Sequence, residues 1–190
     1  MTTQTSSETS GVLSAKLDRI FGVLDSDGDG RLAPADLGGL AARLAEEFDR
    51  QSDRAKIHAL ERSLLAFWHS DLRHMDTDGD GTVDRQEFAT GLRRAFADDP
   101  GPFLDRFGTM VDAWMGVCDT DGDGLISKEE YVRMYRATLG FPEADLRDGF
   151  DRLDRDGDGR LDREEIRRAT YEYYTSDDAG APGNWLFGPL

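Results

Sequence analysis

The sequence is poor in several things, and each scarcity excludes a class of protein. It has one cysteine, Cys118, so no internal disulfide can form. Its histidines are His58, His69 and His74. No two of them stand four residues apart and Cys118 is remote in sequence, so a zinc set is not expected. They read as solvated or helix-packed side chains. No apolar stretch approaches the length needed to span a bilayer. The N-terminus, MTTQTSSETS, has neither the basic region nor the apolar core of a secretory leader. No glycine follows the initiator, so myristoylation is not expected either. These absences point to a soluble, cytoplasmic protein. Lys and Arg number 23 against 39 Asp and Glu, a formal charge of −16. No basic patch stands out, so a nucleic-acid or phosphate ligand is not expected. GxSxG, phosphate-loop and HExxH patterns are all missing, and no enzyme is expected.

What the sequence has in abundance is one acidic pattern. Asp119–Glu130 reads DTDGDGLISKEE. It carries Asp at positions 1, 3 and 5, Gly at 6, an apolar β-branched residue at 8 and Glu at 12. A calcium ion takes six to eight oxygens in flexible geometry, and this spacing supplies them from one short loop. Asp119, Asp121 and Asp123 would give a side-chain oxygen each, Leu125 a backbone carbonyl, and Glu130 both carboxylate oxygens. Ser127 stands where a further ligand, often a water, is held. Gly124 allows a reversal that would strain a residue bearing Cβ. The pattern is identified as an EF-hand loop.

It recurs at Asp76–Glu87 (DTDGDGTVDRQE), Asp154–Glu165 (DRDGDGRLDREE) and Asp25–Asp36 (DSDGDGRLAPAD). The candidate ligands in the second loop are Asp76, Asp78, Asp80, Thr82 and Glu87. In the fourth they are Asp154, Asp156, Asp158, Arg160 and Glu165. In the first they are Asp25, Asp27, Asp29, Arg31 and Asp36. Thr82, Arg160 and Arg31 would contribute only their backbone carbonyls. Ligand positions account for 18 of the 39 acids, so the other 21 nearly balance the 23 bases. Four bound Ca²⁺ would bring the charge to about −8. With so many acids committed to loops, a carboxylate-pair hydrolase is unpersuasive.

The four sites are not equivalent. Asp84 and Asp162 at position 9 suit the N-cap of the helix that follows, with Glu87 and Glu165 three residues on. A Glu committed to a metal cannot also serve fully as the partner in that box. Loop one ends in Asp36, one methylene shorter than Glu, and Ala33 at position 9 has no side-chain oxygen. This loop is expected to be the weaker calcium site, or to tolerate Mg²⁺ relatively better.

Helical spacing of apolar residues flanks every loop. Leu17/Phe21/Leu24, Trp68/Leu72/Met75, Val111/Met115/Cys118 and Leu146/Phe150/Leu153 fall at matching offsets before the loops. The expected fold is therefore all-α, with four EF-hand helix–loop–helix units in two compactly packed pairs. Residues 1–10 read as a disordered, Ser/Thr-rich end. The first pair spans 11–99, with loops 25–36 and 76–87, and a polar break falls at Asp49–Asp53. A single long helix from Ile57 is expected to run into loop two. Two prolines and a glycine at 98–102 mark a boundary. The second pair spans 103–180, with loops 119–130 and 154–165. Residues 181–190 form a tail in which Trp185, Leu186 and Phe187 are adjacent. Exposed, they would be a liability, so the tail is expected to dock on the protein's own core. Position-8 residues should face each other across each pair, Leu32 with Val83 and Ile126 with Leu161. Cys118, directly before loop three, reads as a buried core thiol.

With these features in view the chain resembles the sarcoplasmic calcium-binding protein and calerythrin family over nearly its whole length. The resemblance rests on the four loops, the overall length, the Asp ending loop one and the tail APGNWLFG. It rests also on the 39 residues between loops one and two, against 23 between three and four. It implies both pairs packed together and a role as a calcium buffer or transport protein. Many members have one degenerate loop, often the second. Here the second is intact, so up to four Ca²⁺ are expected, with Mg²⁺ an option at loop 25–36. Two alternatives remain. One is a calcium sensor that opens an apolar groove to a partner helix, although no protein partner is indicated and a monomer is expected. The other is a photoprotein-like oxygenase using Trp68, Trp114 and the histidines.

Overall fold

Each acidic loop is too polar to fold alone and is held by the helices on either side, whose apolar stripes need a partner. The computed structural model describes residues 5–48, 54–98 and 100–188. Helices α1 (Thr5–Leu24) and α2 (Pro34–Phe48) flank loop one, α3 (Arg54–Ser70) and α4 (Arg85–Asp98) loop two. Helices α5 (Pro100–Cys118) and α6 (Lys128–Leu139) flank loop three, α7 (Glu143–Leu153) and α8 (Arg163–Thr175) loop four. Two-residue strands β1 (Arg31–Leu32) and β2 (Val83–Asp84) pair antiparallel, as do β3 (Ile126–Ser127) and β4 (Arg160–Leu161). Leu32 faces Val83 and Ile126 faces Leu161, the expected register, and all four side chains are buried.

Several boundaries differ from expectation. Helix α1 begins at Thr5, inside the segment read as disordered, while residues 1–4 lie outside the described residues. Once a helix is nucleated by buried residues downstream, adding polar residues at its start costs little. The expected break at Asp49–Asp53 also lies outside the described residues. The long helix expected before loop two stops at Ser70 and a 3₁₀ turn, Leu72–His74, completes it. Asp71 at that junction is buried and takes a forked pair of bonds from Arg106, at 2.9 Å from Nε and 2.6 Å from Nη2. Pro100 opens α5 and Pro102 lies within its first turn. Proline's missing N–H is unused there, so the prolines begin a helix at the point where they end the previous one.

The core runs across the sequence boundary. Phe67 of α3 packs edge-on against Phe103 and Phe107 of α5, at 5.8 and 5.7 Å between ring centres. Phe96 of α4 and Tyr174 of α8 stack at 5.3 Å beside them. These contacts join the two loop pairs into one body. Cys118 is fully buried, and burial pushes its thiol pKa up. Met75 and Met134 are buried too.

The tail turns through a 3₁₀ segment, Pro182–Trp185, against α7 and α8. Leu186 is buried, and Phe187 meets Tyr173 edge-on at 5.0 Å. The hydroxyls of Tyr131 and Tyr135 donate to the carbonyls of Trp185 and Leu186.

Candidate metal centres

Local hydrogen bonds shape each loop around its own carboxylates. In loop three, Asp119 accepts from the amides of Gly122 and Gly124 at 2.7 and 3.1 Å. Asp121 accepts from Asp123 at 3.1 Å, and Asp123 from Leu125 at 2.8 Å. Such Asp-to-backbone turns suit the residue type. Gly122 and Gly124 have φ of 78° and 82°, a region closed to most side chains. Position 4 thus carries the same requirement as position 6.

Position 12 closes each loop in one way. Glu130 accepts at Oε1 from the amide of Thr120 at 2.7 Å and at Oε2 from the amide of Ser127 at 2.9 Å. Glu87 does so with Thr77 at 2.7 Å and Asp84 at 3.0 Å, and Glu165 with Arg155 at 2.8 Å and Asp162 at 3.1 Å. Asp36, despite its shorter side chain, takes the amides of Ser26 at 3.0 Å and Ala33 at 2.8 Å. The missing methylene therefore does not stop Asp36 from bridging its loop. Ala33 lacks the side-chain half of the capping arrangement that Ser127 and Asp162 supply, but its N–H still contributes. Burial alone would raise the Glu130 pKa; the donors from Thr120 and Ser127 outweigh it and hold the carboxyl below its usual range. Glu87 is lowered chiefly by the Thr77 amide.

The folding brings the acids together. Ligand atoms of Asp25, Asp27 and Asp36 lie within 4.8 Å of one another, and so do those of Asp76, Asp78 and Asp80. The same holds for Asp119, Asp121 and Glu130, and for Asp154, Asp156 and Glu165. Asp29, Asp123, Asp158 and Glu87 stand in the same loops but outside these tight groups. Arg31 and Arg160 lie in β1 and β4, while Thr82 and Leu125 immediately precede β2 and β3. Carboxylates this close repel one another by on the order of 1–4 kcal/mol per pair, and a divalent cation would reverse that sign. One further observation concerns loop one. Oδ1 of Asp25 is buried with no hydrogen-bond partner among the described residues. A bare buried carboxylate oxygen is costly, and Asp25 is one of the group formed with Asp27 and Asp36. The donor set in every loop is all oxygen, which fits Ca²⁺ or Mg²⁺.

Two kinds of residue escaped the sequence reading. The hydroxyls of Thr77 and Thr120, at position 2, donate to Glu87 at 2.8 Å and Glu130 at 2.6 Å. The shared Thr at this position was the available signal. Arg31 and Arg160, expected to matter only for their carbonyls, direct their guanidinium groups at acids of the neighbouring loop. No spacing within one loop could have shown that. The three histidines are all exposed, and none joins these groups among the described residues.

Known proteins resemble this chain in sequence and fold. A family model described as an EF-hand domain pair matches residues 72–136, and one described as EF hand matches 146–169. Calerythrin of Saccharopolyspora erythraea is 25% identical over 167 residues, covering 87% of this chain and 94% of its own. A solved Streptomyces coelicolor calcium-binding protein, described in terms of prokaryotic calcium-mediated regulation, is 33% identical with a TM-score of 0.73. That match covers 88% of this chain and 99% of the other. An amphioxus sarcoplasmic calcium-binding protein superposes with a TM-score of 0.72 at 22% identity, covering 94% and 97% of the two chains.

Proposed function

Because the chain belongs to the EF-hand calcium-binding proteins, of the calerythrin and sarcoplasmic type, we propose that it is a cytoplasmic, monomeric calcium buffer. Calcium binding through its EF-hands is common to the family. The finer reading is that all four loops hold Ca²⁺, with Mg²⁺ competing most effectively at loop 25–36. Asp25, Asp27, Asp29 and Asp36, with the Arg31 carbonyl, would serve loop one. Asp76, Asp78, Asp80 and Glu87, with the Thr82 carbonyl, would serve loop two. Loop three would use Asp119, Asp121, Asp123, Glu130 and the carbonyl of Leu125. Loop four would use Asp154, Asp156, Asp158, Glu165 and the carbonyl of Arg160. The orphaned Oδ1 of Asp25 supports counting loop one among them.

The observation that carries buffering over sensing is the closed interior. A sensor exposes a groove for a target helix. Here the tail lies against α7 and α8, and the apolar interior it helps to line encloses only about 80 Å³, too little for a helix. The sensor reading keeps one support, the regulatory context in which the Streptomyces coelicolor relative is described. The oxygenase alternative gains nothing from the histidines, which stand at the surface rather than against that interior. Fluorescence of a hydrophobic dye during a Ca²⁺ titration, in constant millimolar Mg²⁺, separates the first two. No change or a fall is expected, and a rise would favour a sensor.

A further inference from the structure

Resting on the reading of these loops as calcium sites, we propose that Arg31 and Arg160 lower the calcium affinity of the neighbouring loop in each pair. Each guanidinium holds a ligand carboxylate of the neighbouring loop that a cation must share or take. The two strand registers place these residues for that task. Arg31 lies opposite Asp84 in the first pair, and Arg160 lies opposite Ser127 in the second. From there Arg31 Nη1 bonds Oδ2 of Asp80 and reaches Thr82 Oγ1 at 2.9 Å. Arg160 Nη1 bonds Oδ2 of Asp123 at 3.0 Å, with Asp121 at 3.9 Å. The recipients, Asp80 and Asp123, both occupy position 5 of the partner loop.

In those two loops the position-5 carboxylate is fully engaged. Asp80 Oδ1 accepts from the Thr82 amide and Asp123 Oδ1 from the Leu125 amide, leaving Oδ2 to the arginine. In loops one and four the equivalent Asp29 and Asp158 accept at Oδ1 from the backbone amides of Arg31 and Arg160. No hydrogen bond to their Oδ2 is formed among the described residues. The arginines are thus placed asymmetrically, burdening loops two and three while their own loops keep a free oxygen. A fixed positive charge on a ligand carboxylate lowers the local potential that attracts Ca²⁺. It also links the sites, because the backbone of Arg31 belongs to loop one while its side chain belongs to loop two. Any such coupling is reciprocal.

The test follows loop-specific amide signals in the full-length protein during Ca²⁺ titration. Gly81 reports loop two and Gly124 reports loop three. Arg31→Gln is expected to raise the apparent affinity at Gly81 by about 1.5-fold to fivefold, the range for one exposed charge pair, and to leave Gly124 unchanged. Arg160→Gln is expected to do the converse. Arg31→Lys and Arg160→Lys, which keep the charge, should return the affinities toward the original, and the gain in the Gln variants should shrink at high salt. Equal or lower affinity in the Gln variants, or a gain that the Lys variants share, overturns the proposal. If neither glycine responds to Ca²⁺ in the unaltered protein, the calcium reading of loops two and three fails first.

Discussion

At the residue scale, the instructive position is Asp36. Its side chain is one methylene shorter than Glu and pointed to a weaker calcium site, and its two oxygens take the backbone amides of Ser26 and Ala33, at the positions whose amides Glu130 takes in loop three. The shorter side chain has less reach toward a cation. A carboxylate with less reach suits the smaller, octahedral ion better than the larger one. Asp36→Glu is therefore expected to shift the selectivity of loop one from Mg²⁺ toward Ca²⁺. Titrations with each ion, read at Gly30, would check this, and an unchanged ratio would remove the chain-length explanation.

At the element scale, the joint between the halves is more than apolar contact. Asp71 is buried where α3 ends, and Arg106 of α5 forks onto it with its own side chain 45% exposed. Arg106→Ala would leave a buried carboxylate without its cation. Loss of one partner from a fully buried pair costs about 3–5 kcal/mol. Because Arg106 is half in solvent, a loss of about 2 kcal/mol is expected, seen as a lowered denaturant midpoint with an unchanged slope. The repeat pattern of the helices was legible in the sequence because a helical stripe depends on local spacing alone. The stop at Ser70 was not legible, since Asp71 is answered by a residue in another helix. The same holds for Pro100 and Pro102, which read as a break until α5 is seen to start on them.

At the scale of the whole molecule, the tail packs on the protein's own core. Ala181 and Leu186 are buried, and Phe187 packs on Tyr173. Burying one large apolar side chain contributes about 1.5–3 kcal/mol. Deleting 181–190 is expected to lower stability by several kcal/mol and to raise dye binding in Ca²⁺, as Tyr131, Tyr135 and Tyr173 lose their cover. Thermal melts and dye titration of the truncated chain would check both, and unchanged values would show that the tail plugs nothing.

The four acidic loops, the apolar stripes beside them, the pairing register and the family were all legible in the sequence. All of these follow from short-range rules, namely which oxygens twelve consecutive residues can offer and which faces of a helix are apolar. It took the folded chain to show that α3 and α5 share one core across a stretch of prolines, and that the tail lies on α7 and α8. The fold alone also placed Arg31 and Arg160 on the carboxylates of neighbouring loops. Each of these joins residues distant in the chain, where side-chain reach and the twist of the strand pairs choose the partner and local spacing has no say.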